Sequence, residues 1–311
     1  MEKRVLVVGE LNVDIIVSGI ASFPKVGQEA VVSNIELVLG SSSAICAAGL
    51  ARLGGTVDFL GQVGQDLYGG FVVEQLRQLN VGTLRVKQDA ALRTGVTISL
   101  AFSFDRALLT YPGCIPVLRL EDIPLGILPN YGHLHVGSYF LQQGLRPGLA
   151  ELFRQAHQAG LTISLDTGCD PAGKWDGGAL IALLKQVDIF IPNEDEARAI
   201  TRARDTDTAL RELAKLARLV VVKRGRKGAT ALYEGKTVHS PGFQVRSVDT
   251  TGAGDSFDAG FIYAYVVHGM PILEALRFAN ACGALCTTGY GGTAAQPTAE
   301  QVRSFLGGAI L

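Results

Sequence analysis

Cysteine is scarce in this chain, and its few copies are poorly placed for any framework. Cys46, Cys114, Cys169, Cys282 and Cys286 are odd in number and form no CxxC pair. Neither a disulfide scaffold nor a zinc site is expected, and the five read as the reduced thiols of a cytoplasmic protein. Charge of one sign is lacking as well: 28 Lys and Arg face 29 Asp and Glu, for a net charge of −1. No global field exists to draw in nucleic acid or an anionic membrane, so neither is expected as a partner. Long uninterrupted apolar runs are missing too. Val5-Leu6-Val7-Val8 stops at Gly9 and Glu10, which is too short for a signal peptide. Residues 123–145 and 278–299 hold no Asp, Glu, Lys or Arg, but Pro124, Gly126, Pro129 and Asn130 in the first and the glycines of the second exclude a membrane span. A soluble, unexported protein is expected. Internal repeats and Pro/Ser-rich linkers are absent, and 1–311 reads as one domain.

What is present suits a large core. Hydrophobic residues make up 48% of the chain and charged residues 18%, and a chain of this length buries roughly three quarters of its extended surface on folding. Short apolar runs at 5–8, 58–63, 133–137, 161–165, 188–191 and 219–223 read as strands, with helical patterns between most of them. Helix signals are clear over 43–53, 66–79, 255–268 and 271–286. That alternation predicts an α/β fold with a mostly parallel central sheet between helical layers. Two segments break it, about 14–39 and 94–111, and both read as β-structure without helices. They are expected to form a small β-lid over one edge of the α/β body, and a lid implies a cleft.

The stretch Val248-Asp249-Thr250-Thr251-Gly252-Ala253-Gly254-Asp255-Ser256-Phe257-Asp258-Ala259-Gly260 carries the chemistry. Gly252, Ala253 and Gly254 leave backbone N–H groups uncovered at a helix N-terminus, where orphan donors and the positive end of the helix dipole bind phosphate oxygens. Asp255 stands at the edge of this anion cradle, placed to accept the proton of an attacking alcohol. Taken alone, the same residues also read as a Thr/Gly turn with Asp255 an ordinary helix cap.

The full stretch resembles the C-terminal signature of the ribokinase-like sugar kinases, the phosphofructokinase-B family, and other motifs follow in order. They are Asn12 and Asp14 after the first strand, Asp66 to Gly69 within a GxDxxG, Asn193 to Glu196 as NxxE, Lys223 to Ala229, and Phe278 to Ala281. The resemblance implies a ribokinase-like three-layer sandwich and an ATP- and Mg²⁺-dependent kinase. It makes Asp255 the catalytic base and Gly252, Ala253 and Gly254 the anion hole. Asn193 and Glu196 would organise magnesium and its waters, although without the resemblance they read as a helix cap and its capping box. Lys223, Gly225 and Gly228 would border the nucleotide and Asn280 its adenosine end. Asp249 and Thr251 resemble the start of a loop for a monovalent cation, K⁺. The lid strands carry apolar alternation, and a homodimer through the lid is expected, as in several relatives.

Other motifs carry less. Gly168 to Lys174 fits the first seven positions of a P-loop, but Trp175 replaces the hydroxyl residue, and a plain loop is expected. No GxGxxG follows a strand, which excludes the usual dinucleotide turn. His133 and His135 share a strand face without acidic or Cys neighbours, and read as packing residues. The sugar-binding signature Gly-Gly-x-x-x-Asn is altered here to Gly40-Ser41-Ser42-Ser43-Ala44-Ile45. Loss of the asparagine removes an expected grip on a sugar hydroxyl, for which Ser41, Ser42 and Ser43 could supply replacement hydroxyls, with Asn12, Asp14 and Gly40 also at the acceptor. Arg106 could meet a carboxylate or phosphate, or be a solvated turn residue. An unphosphorylated sugar or sugar acid is the expected acceptor. A nucleoside, stacked among Ile45, Phe102, Tyr139 and Phe140, is the alternative, and a non-catalytic sugar-binding regulator is a third reading.

Overall fold

Strand alternation decides how the layers form. In β1 (Val5–Val8) every side chain is buried, and successive residues point to opposite faces: Val5 and Val7 enter one hydrophobic cluster, Leu6 and Val8 the other. The computed structural model describes residues 3–307 except 21, 24, 103–105 and 176, together with the backbone but not the side chains of Arg106 and Gly177. Along the chain follow β2 (Asn12–Ser18), β3 (Asn34–Leu39), α1 (Ser42–Arg52), β4 (Val57–Gly64), α2 (Leu67–Gln78), β5 (Gly82–Asp89), β6 (Gly95–Ala101) and β7 (Arg106–Tyr111). Then come β8 (His133–Val136), α3 (Leu149–Gln158), β9 (Thr162–Leu165), α4 (Gly177–Leu184), β10 (Ile189–Phe190), α5 (Glu194–Thr201), α6 (Thr206–Leu213) and β11 (Leu219–Lys223). The chain finishes with β12 (Ala229–Tyr233), β13 (Lys236–Ser240), α7 (Ala253–Phe261), α8 (Ile272–Cys286) and α9 (Ala299–Phe305). The first cluster packs α1, α2, α7, α8 and α9 on one face of the sheet, and the second packs α3 to α6 on the other.

The large sheet has the order β13-β12-β11-β10-β9-β8-β1-β4-β5, parallel from β5 through β11, with β12 and β13 antiparallel. From β1 the chain moves outward to β4 and β5, and then returns to lay β8 on the opposite side of β1. The order therefore reverses between β1 and β8, and in open α/β sheets ligands bind outside the carboxyl ends of the strands at such a switch point. Glu10 and Asn12 follow β1 there, Ser138 follows β8, Asp166 follows β9, and Lys223 ends β11.

The two helix-free segments form a separate four-stranded sheet in the order β3-β2-β6-β7. Its register gives the faces opposite characters. Leu37, Ile15, Ile98 and Leu109 lie in one cross-strand row, and Ile35, Val17, Leu100 and Ala107 in the next. The alternate residues Asp14, Thr97 and Thr110 share the other face. Asn12, just inside β2, donates to Asp14 Oδ1 at 2.8 Å and to Thr97 Oγ1 at 3.3 Å. The expected helix over 255–268 departs from regularity: α7 ends at Phe261 and continues as a π-helical turn over Ile262–Val267 before Gly269.

Candidate active site

The head of α7 is shaped by glycines. Gly252, its N-cap, has φ 75°, and a Cβ there would lie 2.6 Å from Gly292 Cα, so conformation and space both demand glycine. The turn is closed by the Ala253 amide, which donates to the Thr250 carbonyl at 3.3 Å, and it sets Asp255 in the first turn of α7. Burial raises the Asp255 pKa to about 7, with Asp166 and Glu10 adding to the rise, while Lys223 and the Ser42 hydroxyl oppose it. A carboxylate in that range is matched to taking a proton near neutral pH.

Behind this turn lies a buried ion triad. Lys223 Nζ is 2.7 Å from Asp166 Oδ2 and 3.1 Å from each Asp258 oxygen, with side-chain exposures of 11%, 9% and 2%. Burial disfavours the charge on Lys223, but Asp166, Asp258 and Glu196 together hold its pKa well above the usual lysine value. Burial pushes Asp258 well up; at Asp166 burial also acts upward, but the Lys223 ammonium and hydrogen bonds from Asp258 and the Gly168 amide together bring the pKa to about 2. The ammonium also lies 3.5 Å from where a Gly254 Cβ would stand, directly behind the amides of α7.

Asn193 and Glu196 form a complete capping box at the start of α5: Asn193 Oδ1 accepts from the Asp195 and Glu196 amides, and Glu196 Oε2 accepts from the Asn193 amide at 2.9 Å. Asn193 Nδ2 donates to the other Glu196 oxygen at 2.7 Å. Burial first, and Asp166 second, push Glu196 up to about 7. An arriving cation would draw that proton off, which fits this carboxylate to a magnesium site.

Lys223, Gly225, Gly228, Ala253, Gly254 and Asn280 line a single cavity of about 460 Å³, with Phe243 and Val245 on its apolar wall. Three sequence-separated motifs thus meet in one place. Asn280 builds the wall by donating from Nδ2 to the Ser240 and Pro241 carbonyls at 3.1 and 3.3 Å. Gly228, at φ 94°, is pressed against the Ser240 carbonyl, where a Cβ would come within 2.1 Å. Asp249 ties two loops together: it accepts from Thr251 N and Oγ1 at 2.9 and 2.8 Å, and from Gly291 N at 3.0 Å.

On the other side of Asp255 lie the residues expected to meet the acceptor. A Cβ on Gly40 would stand 2.2 Å from Asp14 Oδ1 and 2.6 Å from Asn12 Nδ2, so these three are in contact. Ser42 opens α1 beside them and faces Asp255 closely enough to lower its pKa. Ser41 departs from the expectation. Its hydroxyl is turned inward, donating to the Glu10 carbonyl at 2.5 Å and accepting from Ala44 N at 3.0 Å, so it is spent on the fold. Arg106 begins β7, and its side chain lies outside the described residues.

Residues 2–299 match the pfkB family carbohydrate kinase profile. The chain belongs to the pfkB family of carbohydrate kinases. Such enzymes are phosphotransferases with an alcohol group as acceptor. This carbohydrate kinase is 33% identical to an ATP-dependent ribose-1-phosphate kinase of Halopiger xanaduensis, over 97% of this chain and 98% of the relative. It is 31% identical to a fructokinase of Klebsiella pneumoniae, over 86% and 91%. Among solved structures, a putative ribokinase II from E. coli superposes with a TM-score of 0.88 at 23% identity, covering 98% and 99%. Arabidopsis thaliana ribokinase complexed with ribose and ATP superposes with a TM-score of 0.84 at 27% identity, covering 99% of each chain. A fructokinase double mutant from Vibrio cholerae, in a form with fructose, ADP and potassium ion, gives 0.83 at 27% identity, over 98% and 99%. The ribokinase-like fold expected from the motifs is the fold of this kinase.

Several residues of this carbohydrate kinase escaped sequence reasoning or took other places. Asp166 and Asp258 form the triad with Lys223, yet only the contact of three distant segments reveals it. The four residues proposed for a base-stacking slot are divided. Tyr139 and Phe140 are buried in the second core cluster, Phe102 stacks on Phe23 at 6.3 Å, and Ile45 packs against the Gly292 backbone. His133 and His135 are buried and bonded to Thr162 and Ser164, as packing residues should be. Gly168 to Lys174 is a loop closed by Asp170, which accepts from the amides of Ala172, Lys174 and Trp175. No cluster of three or more His, Cys, Asp or Glu suited to holding a metal directly occurs among the described residues, and no described helix is long and apolar enough to cross a membrane.

Proposed function

We propose that this carbohydrate kinase transfers the γ-phosphoryl group of ATP to a hydroxyl of an unphosphorylated sugar or sugar acid, with Asp255 as general base. The observation that carries the reading is the place of Asp255. It stands in the first turn of α7, next in the chain to Ala253 and Gly254 of the 460 Å³ cavity, and its carboxyl is hydrogen-bonded to Ser42, two residues after the Gly40 that touches Asn12 and Asp14. ATP fits the cavity with its adenine against Phe243 and Val245 and its phosphates toward the amides of Ala253 and Gly254. Those amides and the Lys223 ammonium behind them stabilise charge developing on the transferred group. Asp255 takes the acceptor hydroxyl's proton as the oxygen attacks phosphorus. Glu196, with Asn193, would hold Mg²⁺ through its waters, and Asp249 and Thr251 belong to the loop for K⁺. When bound, Mg²⁺ supplies charge neutralisation at the phosphates.

Acceptor class follows from charge. An acceptor with its own phosphate, such as the Halopiger relative's name indicates for that enzyme, needs several cations around the dianion. The described acceptor side offers Asn12, Asp14, Ser42 and Thr97 instead, which suit hydroxyls. The outward apolar rows of the lid, with Ile35 62% and Leu109 57% exposed, support a homodimer through this face. Five free thiols suit a reducing cytoplasm. The test is a phosphorylation screen with ATP and Mg²⁺ over fructose, ribose, keto-deoxy sugar acids, nucleosides and ribose-1-phosphate. A clear kcat/KM preference for a neutral sugar or sugar acid is expected. Preference for ribose-1-phosphate overturns the acceptor assignment.

A further inference from the structure

The mechanism above leaves one buried carboxylate unused. Glu10 sits at the switch point, immediately after β1, and is only 3% exposed. Its partners are three serines from two places in the chain. Ser43 donates from Oγ to Oε2 at 2.5 Å and from its amide to Oε1 at 3.2 Å, Ser138 donates to Oε1 at 2.8 Å, and Ser41 Oγ lies 3.1 Å from the same oxygen. Two of these serines hold backbone conformations that favour glycine, with φ 72° at Ser41 and 50° at Ser138. Space is cleared for the third, because a Cβ on Gly9 or Gly137 would come within 2.0 or 2.6 Å of Ser43 Oγ. Strained turns, two flanking glycines and a desolvated carboxylate converge on one point, and such a costly arrangement persists where position matters.

The cage reaches the reacting groups through one further step. Ser138 Oγ is 3.2 Å from Ser42 Oγ, and Ser42 is the hydroxyl that faces Asp255. We infer that Glu10 is a positioning residue for phosphoryl transfer, fastening the 41–43 turn to the end of β8 so that Ser42 is held against the Asp255 carboxyl. Ser42 then engages one side of Asp255 and leaves the other to the acceptor's proton. The inference rests on the assignment of Asp255 as base. Besides Ser42 of α1, the groups facing Asp255 are Lys223 at the end of β11, Asp166 after β9, Asp258 one turn along α7, the thiols of Cys46 on α1 and Cys286 on α8, and Glu10 itself. Of these Glu10 and Ser42 act in opposite senses, the charge raising the Asp255 pKa and the hydroxyl lowering it.

That opposition gives a test which needs no acceptor. In protein with ¹³C-labelled aspartate, the Asp255 carboxyl is assigned by its loss in Asp255→Asn and titrated in the wild type, Glu10→Gln and Ser138→Ala. Removing the Glu10 charge is expected to lower the Asp255 midpoint by about half a pH unit or more. Ser138→Ala keeps the charge but releases Ser42, and is expected to raise the midpoint. With ATP and fructose, both variants are expected to lose about tenfold or more in kcat while KM for ATP stays within about twofold. If Glu10→Gln does not fold, Ser138→Ala alone decides by the direction of its shift. Unchanged midpoints overturn the inference, since a purely structural role would lower thermal stability without moving Asp255. Should Asp255→Asn retain full turnover, the base assignment fails and this inference with it. An inactive Asp255→Asn beside Glu10 and Ser138 variants with wild-type midpoints sinks the inference alone.

Discussion

Replacing Lys223 by methionine removes the one ammonium between two buried carboxylates and keeps most of the side-chain volume. The cost follows from the triad: Lys223 Nζ is 2.7 Å from Asp166 and 3.1 Å from Asp258, and all three side chains are at most 11% exposed. Breaking a buried pair by deleting one partner typically costs about 3–5 kcal/mol, because the other charge is left uncompensated. With an unfolding entropy of about 2.1 cal/mol/K per residue, that cost lowers Tm by roughly 5–8 °C for a chain of this length. Differential scanning calorimetry at pH 8 and pH 5 reads the effect. In the wild type the Asp166 pKa lies below the unfolded carboxylate value, so its contribution is complete above about pH 4 and is lost as pH falls toward about 2. In Lys223→Met Asp166 keeps the hydrogen bonds from Asp258 and the Gly168 amide but loses the ammonium, so its pKa rises and a proton takes the ammonium's place between the carboxylates. The deficit relative to wild type is therefore expected to be largest at pH 8 and to narrow toward pH 5. Adding Asp258→Asn to Lys223→Met should recover part of the loss, because the second substitution removes the repulsion left by the first. A Lys223→Met Tm within about 1 °C of wild type at pH 8 would refute the reasoning.

Three further outcomes are expected. Gly252→Ala places a Cβ 2.6 Å from Gly292 Cα at a φ of 75°, and should cost about tenfold or more in kcat with a smaller change in KM for ATP, measured by coupled assay. The kcat/KM profile should fall on the acid side with a midpoint near pH 7, where burial places the Asp255 carboxyl, because a raised carboxylate works as base only above its pKa; a profile flat from pH 5 to 8 would count against that role. Leu37→Glu with Leu109→Glu puts charge at the two ends of one outward lid row, and should turn the proposed dimer into monomers in light scattering without unfolding the α/β body.

How far the chain could be read without its fold varied with the range of the interactions. Val5–Val8 and Leu219–Lys223 show as strands in the sequence and are strands with those bounds, because buried parallel strands are continuous apolar runs. The lid was legible from even spacing, and the glycine turn that opens α7 from adjacent residues. The β12–β13 hairpin was not singled out, although Glu234 and Gly235 both take positive φ in its turn. The π-helical turn after Phe261 has no local signature. Features made by distant residues were out of reach: Glu10 meets Ser138 across 128 positions, and Lys223 meets Asp166 across 57. Ile45 shows the same limit from the other direction. Its apolar character suggested a stripped sugar site, whereas the fold buries it against Gly292, behind the loops that build the anion cradle.

The central claim is that Asp255 accepts the proton of the attacking hydroxyl. Asp255→Asn keeps the size and position of the side chain and removes its basicity, so the direct measurement is single-turnover phosphoryl transfer from ATP to the preferred acceptor, alongside ATP binding by calorimetry. A loss of about 10²–10⁴-fold in the transfer rate with ATP affinity unchanged is the expected result. Transfer at the wild-type rate in a folded, ATP-binding variant would contradict it.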